Sequence, residues 1–126
     1  AENDLSEQVH YLTKVAFDDL PAMYQSAFVF VYPSLFEGFG IPLVEAIVSE
    51  VPVITSTGSC FAEAAGPDAV YVEPTDEKGL AQAILRVATD NDLRKKMIGN
   101  SLRYVQRFEP AVIAAEMMSV YRTLVK

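Results

Sequence analysis

The sequence has no tryptophan, one cysteine, one histidine, and no lysine or arginine between Lys14 and Lys78. A single cysteine, Cys60, excludes an internal disulfide and fits a reducing compartment. Ten basic residues against seventeen acidic ones give a net charge of −7. That balance argues against a nucleic-acid binder and against a basic membrane anchor. No apolar run approaches the roughly 20 residues that span a bilayer. Residues 1–8 are acidic and polar, unlike the apolar core of a secretory leader. Cys/His pairing and the His-Glu-x-x-His pattern are both missing, so no metal site is expected. Repeats, linkers and low-complexity segments are missing too.

What remains is a chain of 126 residues with 51% apolar content, enough for one domain with a real core. Strand-like and helix-like segments alternate. Strands are expected near Val9–Leu12, Ala27–Tyr32, Val51–Thr55 and Ala69–Val72. Helices are expected near Asp19–Ser26, Pro42–Ser49, Phe61–Ala65, Glu77–Thr89, Asp92–Phe108 and Pro110–Leu124. This alternation predicts an α/β fold, a parallel Rossmann-like sheet with flanking helices. Thr75 or Asp76 is placed to cap the Glu77 helix, and Asp90 the next one.

The most informative stretch runs from Ser34 to Ala46. Ala27 to Tyr32 is continuously apolar, as in a strand buried on both faces, and Pro33 closes it. Gly38 and Gly40 permit a left-handed turn and a close backbone approach to a ligand. Pro42 suits a helix start, and Leu43, Val44, Ala46, Ile47 and Val48 give that helix a buried character. The segment therefore reads strand, glycine turn, helix, the layout at which open α/β sheets bind ligands. A helix N-terminus offers free N–H groups and partial positive charge to phosphate or sugar oxygens. Glu45 would repel a bare phosphate, and no cation is nearby in sequence to offset it. A carboxylate there is better matched to hydroxyls, such as those of a ribose. Glu37 is placed to accept from hydroxyls of a sugar.

Each of these residues has a plainer reading. Glu45 can be a helix-start carboxylate favoured by the dipole. Glu37, Gly38 and Gly40 can be turn residues. Glu63 suits a cap or surface role better than a ligand contact. His10 falls in an expected strand, and Cys60 reads as a packed small residue without a partner base. Lys14 alone among the cations is placed to approach a ligand.

The run Tyr32-Pro33-Ser34-Leu35-Phe36-Glu37-Gly38-Phe39-Gly40-Ile41-Pro42-Leu43-Val44-Glu45-Ala46 resembles the donor-site motif of retaining group 1 glycosyltransferases (family 4, GT-B fold). The resemblance covers nearly the whole chain. It extends over Val9-His10-Tyr11-Leu12, Asp19 to Tyr24, Pro52 to Thr55, Ser59 to Glu63, Val72-Glu73-Pro74 and Leu80 to Ile84. It implies that residues 1–126 are the C-terminal part of a nucleotide-sugar-binding domain. The acceptor-binding domain and the basic residues for the pyrophosphate would then lie upstream.

The resemblance makes Glu37 the candidate catalytic and sugar-contacting residue. It puts Gly38, Phe39, Gly40 and Ile41 against sugar and phosphate, Glu45 on the ribose, and Leu12 and Thr13 at the base-binding edge. It implies a nucleotide-diphosphate sugar as substrate, a glycan or lipid-linked hydroxyl as acceptor, and no cofactor or bound metal. The setting would be polysaccharide or glycoconjugate biosynthesis at the cytoplasmic membrane face. The Ser59 to Glu63 run faintly resembles members that build bacterial surface polysaccharides with mannose or similar sugars. Three positions depart from the pattern: Thr13, Glu50 and Ser59 stand where the family often has Gly. If the backbone at residue 50 is left-handed, its side chain costs about 1 kcal/mol or more.

A GT-B sugar-nucleotide epimerase uses a similar carboxylate on nucleotide-sugar hydroxyls. A non-catalytic α/β interaction domain is the other alternative. A response-regulator-like domain needs an acidic cluster at strand ends and a downstream lysine, and it fits poorly because Asp18-Asp19 precedes a helix instead. On the transferase reading this chain alone lacks the pyrophosphate clamp. It is therefore expected to show no sugar transfer in a radiolabelled-donor assay, and turnover by the isolated chain would disprove that.

Overall fold

Runs of β-branched and aromatic residues fit a pleated, buried surface better than a helix. A computed structural model describes residues 5–125 and sets three such runs side by side. The order along the chain is α1 (Leu20–Ser26), β1 (Phe30–Tyr32), α2 (Ile41–Val48), β2 (Val53–Ser56), α3 (Phe61–Ala65), β3 (Val70–Val72), α4 (Glu77–Thr89), α5 (Asn91–Val105) and α6 (Pro110–Leu124). Single 3-10 turns at Phe17–Asp19 and Gln106–Phe108 precede α1 and α6. The sheet is parallel in the order β1-β2-β3, with Phe30 opposite Val53 and Thr55 opposite Tyr71. Parallel neighbours need a crossover, and α2 and α3 supply the two.

Strand alternation sends side chains to two layers. On one face Phe30, Tyr32, Val53 and Tyr71 pack with Leu43, Ala46 and Ile47 of α2 and Phe61, Ala64 and Ala65 of α3. On the other, Val31, Ile54, Val70 and Val72 pack with Ala83 and Val87 of α4 and Met97 of α5. Helix α5 reaches both layers, through Met97 in one and Val105 in the other. Leu43, Ile54, Phe61 and Val87 are fully excluded from solvent, each worth about 1.5–3 kcal/mol against exposure.

The expected caps are present. Asp76 accepts from the Gly79 amide at 2.9 Å and Asp90 from the Leu93 amide at 2.8 Å. Each contributes about 1 kcal/mol. Asp90 and Asp92 form an Asp-x-Asp run, and Asp90 serves as the α5 cap.

One expected strand is not there. Val9–Leu12 is irregular and exposed. A strand exists only through ladder hydrogen bonds. Among the described residues β1 pairs with β2 alone and its other edge stays open, but Val9–Leu12 forms no ladder with it. Apolar character without a ladder leaves Tyr11 89% exposed.

Helix α2 ends in a paired hydrogen-bond closure. The Val51 amide donates to Ala46 O at 3.0 Å and the Glu50 amide to Ile47 O at 2.9 Å. This geometry needs a left-handed residue after the cap, normally glycine. Glu50 fills it at φ 62°, and Ser59 is left-handed too at φ 47°. Both stand where the resemblance led one to look for Gly. Replacing Glu50→Gly removes the Cβ strain and restores some unfolded-state freedom. The net effect expected is a gain of about 0.5–1 kcal/mol. Urea unfolding should show a higher midpoint at unchanged slope; a lower midpoint would overturn the assignment of strain to this residue.

Candidate functional site

The site grows from the carboxyl end of β1, where Pro33 halts the ladder. Two hydrogen bonds tie this exit to the buried β2. Thr55 Oγ1 donates to Tyr32 O at 3.0 Å, and the Ser34 amide donates to Ser56 Oγ at 2.9 Å. The chain then turns through residues 34–40 into α2.

Within that turn Glu37 is held at both ends. Its carbonyl accepts from Ser59 Oγ at 3.3 Å and Cys60 Sγ at 3.4 Å. Its carboxylate Oε1 accepts from the Tyr32 hydroxyl at 2.8 Å, with Ser34 Oγ 3.1 Å away. Thus the β2–α3 loop, which carries the strained Ser59, buttresses the glutamate turn.

The two glycines do different things. Gly40 is the residue before α2, at φ 92° and ψ 47°, and a Cβ there would sit 3.0 Å from Leu43 Cδ1. Gly38 is not left-handed, contrary to the use foreseen for it; a Cβ there would meet nothing within 4 Å. Its contribution is bareness, which leaves the backbone open. The Phe39 ring packs edge-on against Phe108 with centroids 5.3 Å apart, so only its amide remains for a ligand. Among the described residues, the amides of Gly38, Phe39 and Gly40 have no hydrogen-bond acceptor. They and the start of α2 offer uncompensated N–H groups and the positive end of the helix dipole. Ile41, at the first position of α2, is exposed.

Glu45 lies one turn into α2. Its Oε2 accepts from the Tyr24 hydroxyl at 3.0 Å. The pair borders an open cleft of about 200 Å³ whose apolar walls are Phe17, Leu20, Pro21 and Val48. Leu12 and Thr13, expected at a base-binding edge, are exposed in the irregular segment and do not line this cleft. Lys14 is likewise exposed there. Cys60 is half-buried beside Glu37, and the expected packing role fits it. Glu63 caps nothing; its carbonyl accepts from the Tyr104 hydroxyl at 2.8 Å. No group of three or more metal-ligating side chains occurs among the described residues.

Sequence reasoning overlooked Tyr24, Tyr32 and Phe17 as site residues. Tyr24 lies on a helix and Tyr32 in a strand, and no spacing rule joins them to glutamates 21 and 5 residues away. Their one signal was a polar tip on an otherwise apolar run.

Burial, reinforced by the bond to Glu45, pushes the Tyr24 phenol up to about 12. The bond to Glu37, with burial second, raises Tyr32. Burial, with Tyr104 nearby, pushes Tyr71 up to about 12. At neutral pH all three phenols are protonated donors. Below pH 10 they are protonated in the folded and unfolded chains alike, and their contribution is complete. Above it the unfolded chain releases protons first, so stability falls until about pH 12. Urea unfolding between pH 8 and 12 should show that decline, and Tyr24→Phe and Tyr71→Phe should each flatten it. An unchanged slope in both variants would refute the assignment.

Comparison with known proteins gives this geometry a family. The family described as glycosyl transferases group 1 matches residues 1–103. An O-antigen chain mannosyltransferase of Salmonella typhimurium is 38% identical over 114 residues, which cover 79% of this chain and 32% of that protein. The MMP alpha-(1->4)-mannosyltransferase of Mycolicibacterium hassiacum is 34% identical, over 96% of this chain and 30% of that protein. Among solved structures, sucrose-phosphate synthase from Thermosynechococcus elongatus superposes with a TM-score of 0.82 at 31% identity, covering 96% of this chain and 31% of that one. The chain thus spans about a third of the length of the curated relatives it matches. The family match over residues 1–103 and the relatives at 34–38% identity carry one conclusion: the chain belongs to the group 1 glycosyltransferases.

Proposed function

We propose that this chain forms the nucleotide-sugar half-site of a retaining hexosyltransferase. The full-length protein would move a hexose, with mannose the first candidate, to a hydroxyl of a glycan or lipid-linked acceptor. The relatives named above, two of them mannosyltransferases, favour polysaccharide or glycoconjugate biosynthesis as the setting. The observation that carries the reading is the placing of Glu37 and Glu45 on either side of the open amides of Gly38, Phe39 and Gly40.

In this reading Glu45 accepts from ribose hydroxyls, and the base enters the apolar cleft beside it. Glu37 accepts from hydroxyls of the transferred sugar. The acceptor oxygen bonds to the anomeric carbon as the bond from that carbon to the diphosphate breaks, and the acceptor proton leaves to a diphosphate oxygen. Negative charge grows on the diphosphate, where the α2 N-terminus and the turn amides stabilise it. Glu37 faces the positive charge that grows on the sugar ring. No resident metal or cofactor is assigned a role, since amides, dipole and hydroxyls supply the contacts. Upstream basic residues would complete the pyrophosphate clamp. The place of action is proposed as the cytoplasm, peripheral to the inner membrane face. No helix among the described residues is long and apolar enough to cross a membrane.

An amide NMR titration with UDP, GDP and ADP and their sugars tests this. Saturable shifts clustered at Gly38 to Glu45, weakened about tenfold or more by Glu45→Gln, are the expected result. Shifts for one ligand that cluster instead around α4 or α6 would overturn the assignment. If the isolated chain shows none, the same titration on the full-length protein decides, and silence there sinks the reading.

A further inference from the structure

Glu37 and Glu45 face a common problem. A glutamate side chain has three rotatable bonds, and a half-buried carboxylate left unanchored samples several rotamers. No lysine or arginine occurs between residues 15 and 77 to pin either one. The molecule anchors both in the same way, with a neutral phenol. Tyr32 OH donates to Glu37 Oε1 at 2.8 Å, and Tyr24 OH donates to Glu45 Oε2 at 3.0 Å. The second oxygen of each carboxylate has no partner among the described residues.

The two phenols belong to one aromatic rail. Tyr24 meets Phe30 edge-on, with centroids 5.3 Å apart and planes at 68°. Phe30 stacks on Tyr32 at 5.8 Å and 17°. Phe30 and Tyr32 are two apart on β1 and share a sheet face. The rail runs from α1, across the strand, to the glutamate turn. Its body packs against the core that also holds α2. Phenylalanine would fill the same space without a donor; Ser34 Oγ, 3.1 Å from the Glu37 Oε1 that Tyr32 holds, is the one further hydroxyl at either carboxylate among the described residues.

We propose that Tyr24 and Tyr32 are the positioning residues of the nucleotide-sugar site. Each phenol fixes one glutamate in a single rotamer and leaves one carboxylate oxygen unshared for a ligand hydroxyl. Tyr32 thereby serves the sugar end and Tyr24 the ribose end. This rests on the donor-site reading above and adds a division of labour to it. A charged partner in place of a phenol would neutralise the carboxylate and weaken it as an acceptor for both hydroxyls and developing positive charge. A phenol orients it and leaves the charge in place.

The test is calorimetric binding to the full-length protein of GDP-mannose, UDP-glucose and ADP-glucose, each beside its bare diphosphate. Tyr32→Phe should weaken the bound sugar nucleotide about tenfold and change the matching diphosphate less than twofold. Tyr24→Phe should weaken both about tenfold, the size expected for one lost hydrogen bond. Adding Tyr24→Phe to Glu45→Leu should cost less than a further twofold, because without an acceptor at residue 45 the phenol has nothing to position. A purely structural Tyr32 would lower the melting temperature while leaving the ratio of sugar-nucleotide to diphosphate affinity untouched, and a purely structural Tyr24 would lower it while its effect on binding added in full to that of the Glu45 variant. Both variants within twofold of the unmodified protein for every ligand would overturn the inference alone. So would equal losses for sugar nucleotide and diphosphate in Tyr32→Phe. Failure of the unmodified protein to bind any of the six ligands would overturn the donor-site reading, and this inference with it. If a phenylalanine variant does not fold, 4-fluorophenylalanine at the same position, which keeps the shape of the phenol and cannot donate, carries the comparison: the same losses are expected, and affinities within twofold of the unmodified protein would overturn the inference.

Discussion

The fold is referred to β2, among the described residues the one strand hydrogen-bonded on both edges and buried along its whole length. Its apolar residues, Val53 and Ile54, seed the two hydrophobic layers, one on each side of the sheet. Its last two residues are polar yet buried, and both act on β1. Thr55 grips the Tyr32 carbonyl and Ser56 the Ser34 amide. Buried hydroxyls need partners, and meeting that need fixes where the chain leaves β1. The glutamate turn starts at that point, so the placement of Glu37 follows from the packing of the central strand.

Two non-glycine residues are held in the left-handed region, Glu50 where α2 closes and Ser59 on the way to α3. Such residues persist when the surroundings over-determine them. At Glu50 two closing hydrogen bonds do so; at Ser59 the hydroxyl is bound to the Glu37 carbonyl. The second case ties strain to the site, since a loop relaxed at Ser59 would let go of the glutamate turn. The first fixes the angle at which α2 meets β2 and bears on the site only through that helix.

The long stretch without lysine or arginine gives the site its chemical character. A nucleotide-sugar site needs donors for phosphate oxygens and acceptors for hydroxyls. Between residues 15 and 77 the donors are backbone amides and phenols, and the acceptors are two carboxylates. Amides and a helix dipole are fixed in space by the fold and need no reorganisation as charge moves.

The local order of elements was legible because it depends on nearest neighbours. The end of the apolar run at Pro33, the left-handed Gly40, Pro42 at a helix start and the aspartate caps are each decided within a few residues, and the structure places them as expected, with the strand itself shortened from Ala27–Tyr32 to Phe30–Tyr32. The glutamate pair and its family likeness were legible for the same reason. What the sequence could not decide depends on contacts between distant residues. Val9–Leu12 has the composition of a strand and forms no ladder. Gly38 looked like a left-handed turn residue and is instead merely bare. Phe39 looked available to a ligand and packs its ring against Phe108 from the far end of the chain. Tyr24 and Tyr32 were not singled out by any motif, and they hold the two carboxylates. Sequence determined what each segment is, since helix, turn and cap energies are local; only the tertiary structure decided which polar tips meet, since that requires the sheet to be assembled first.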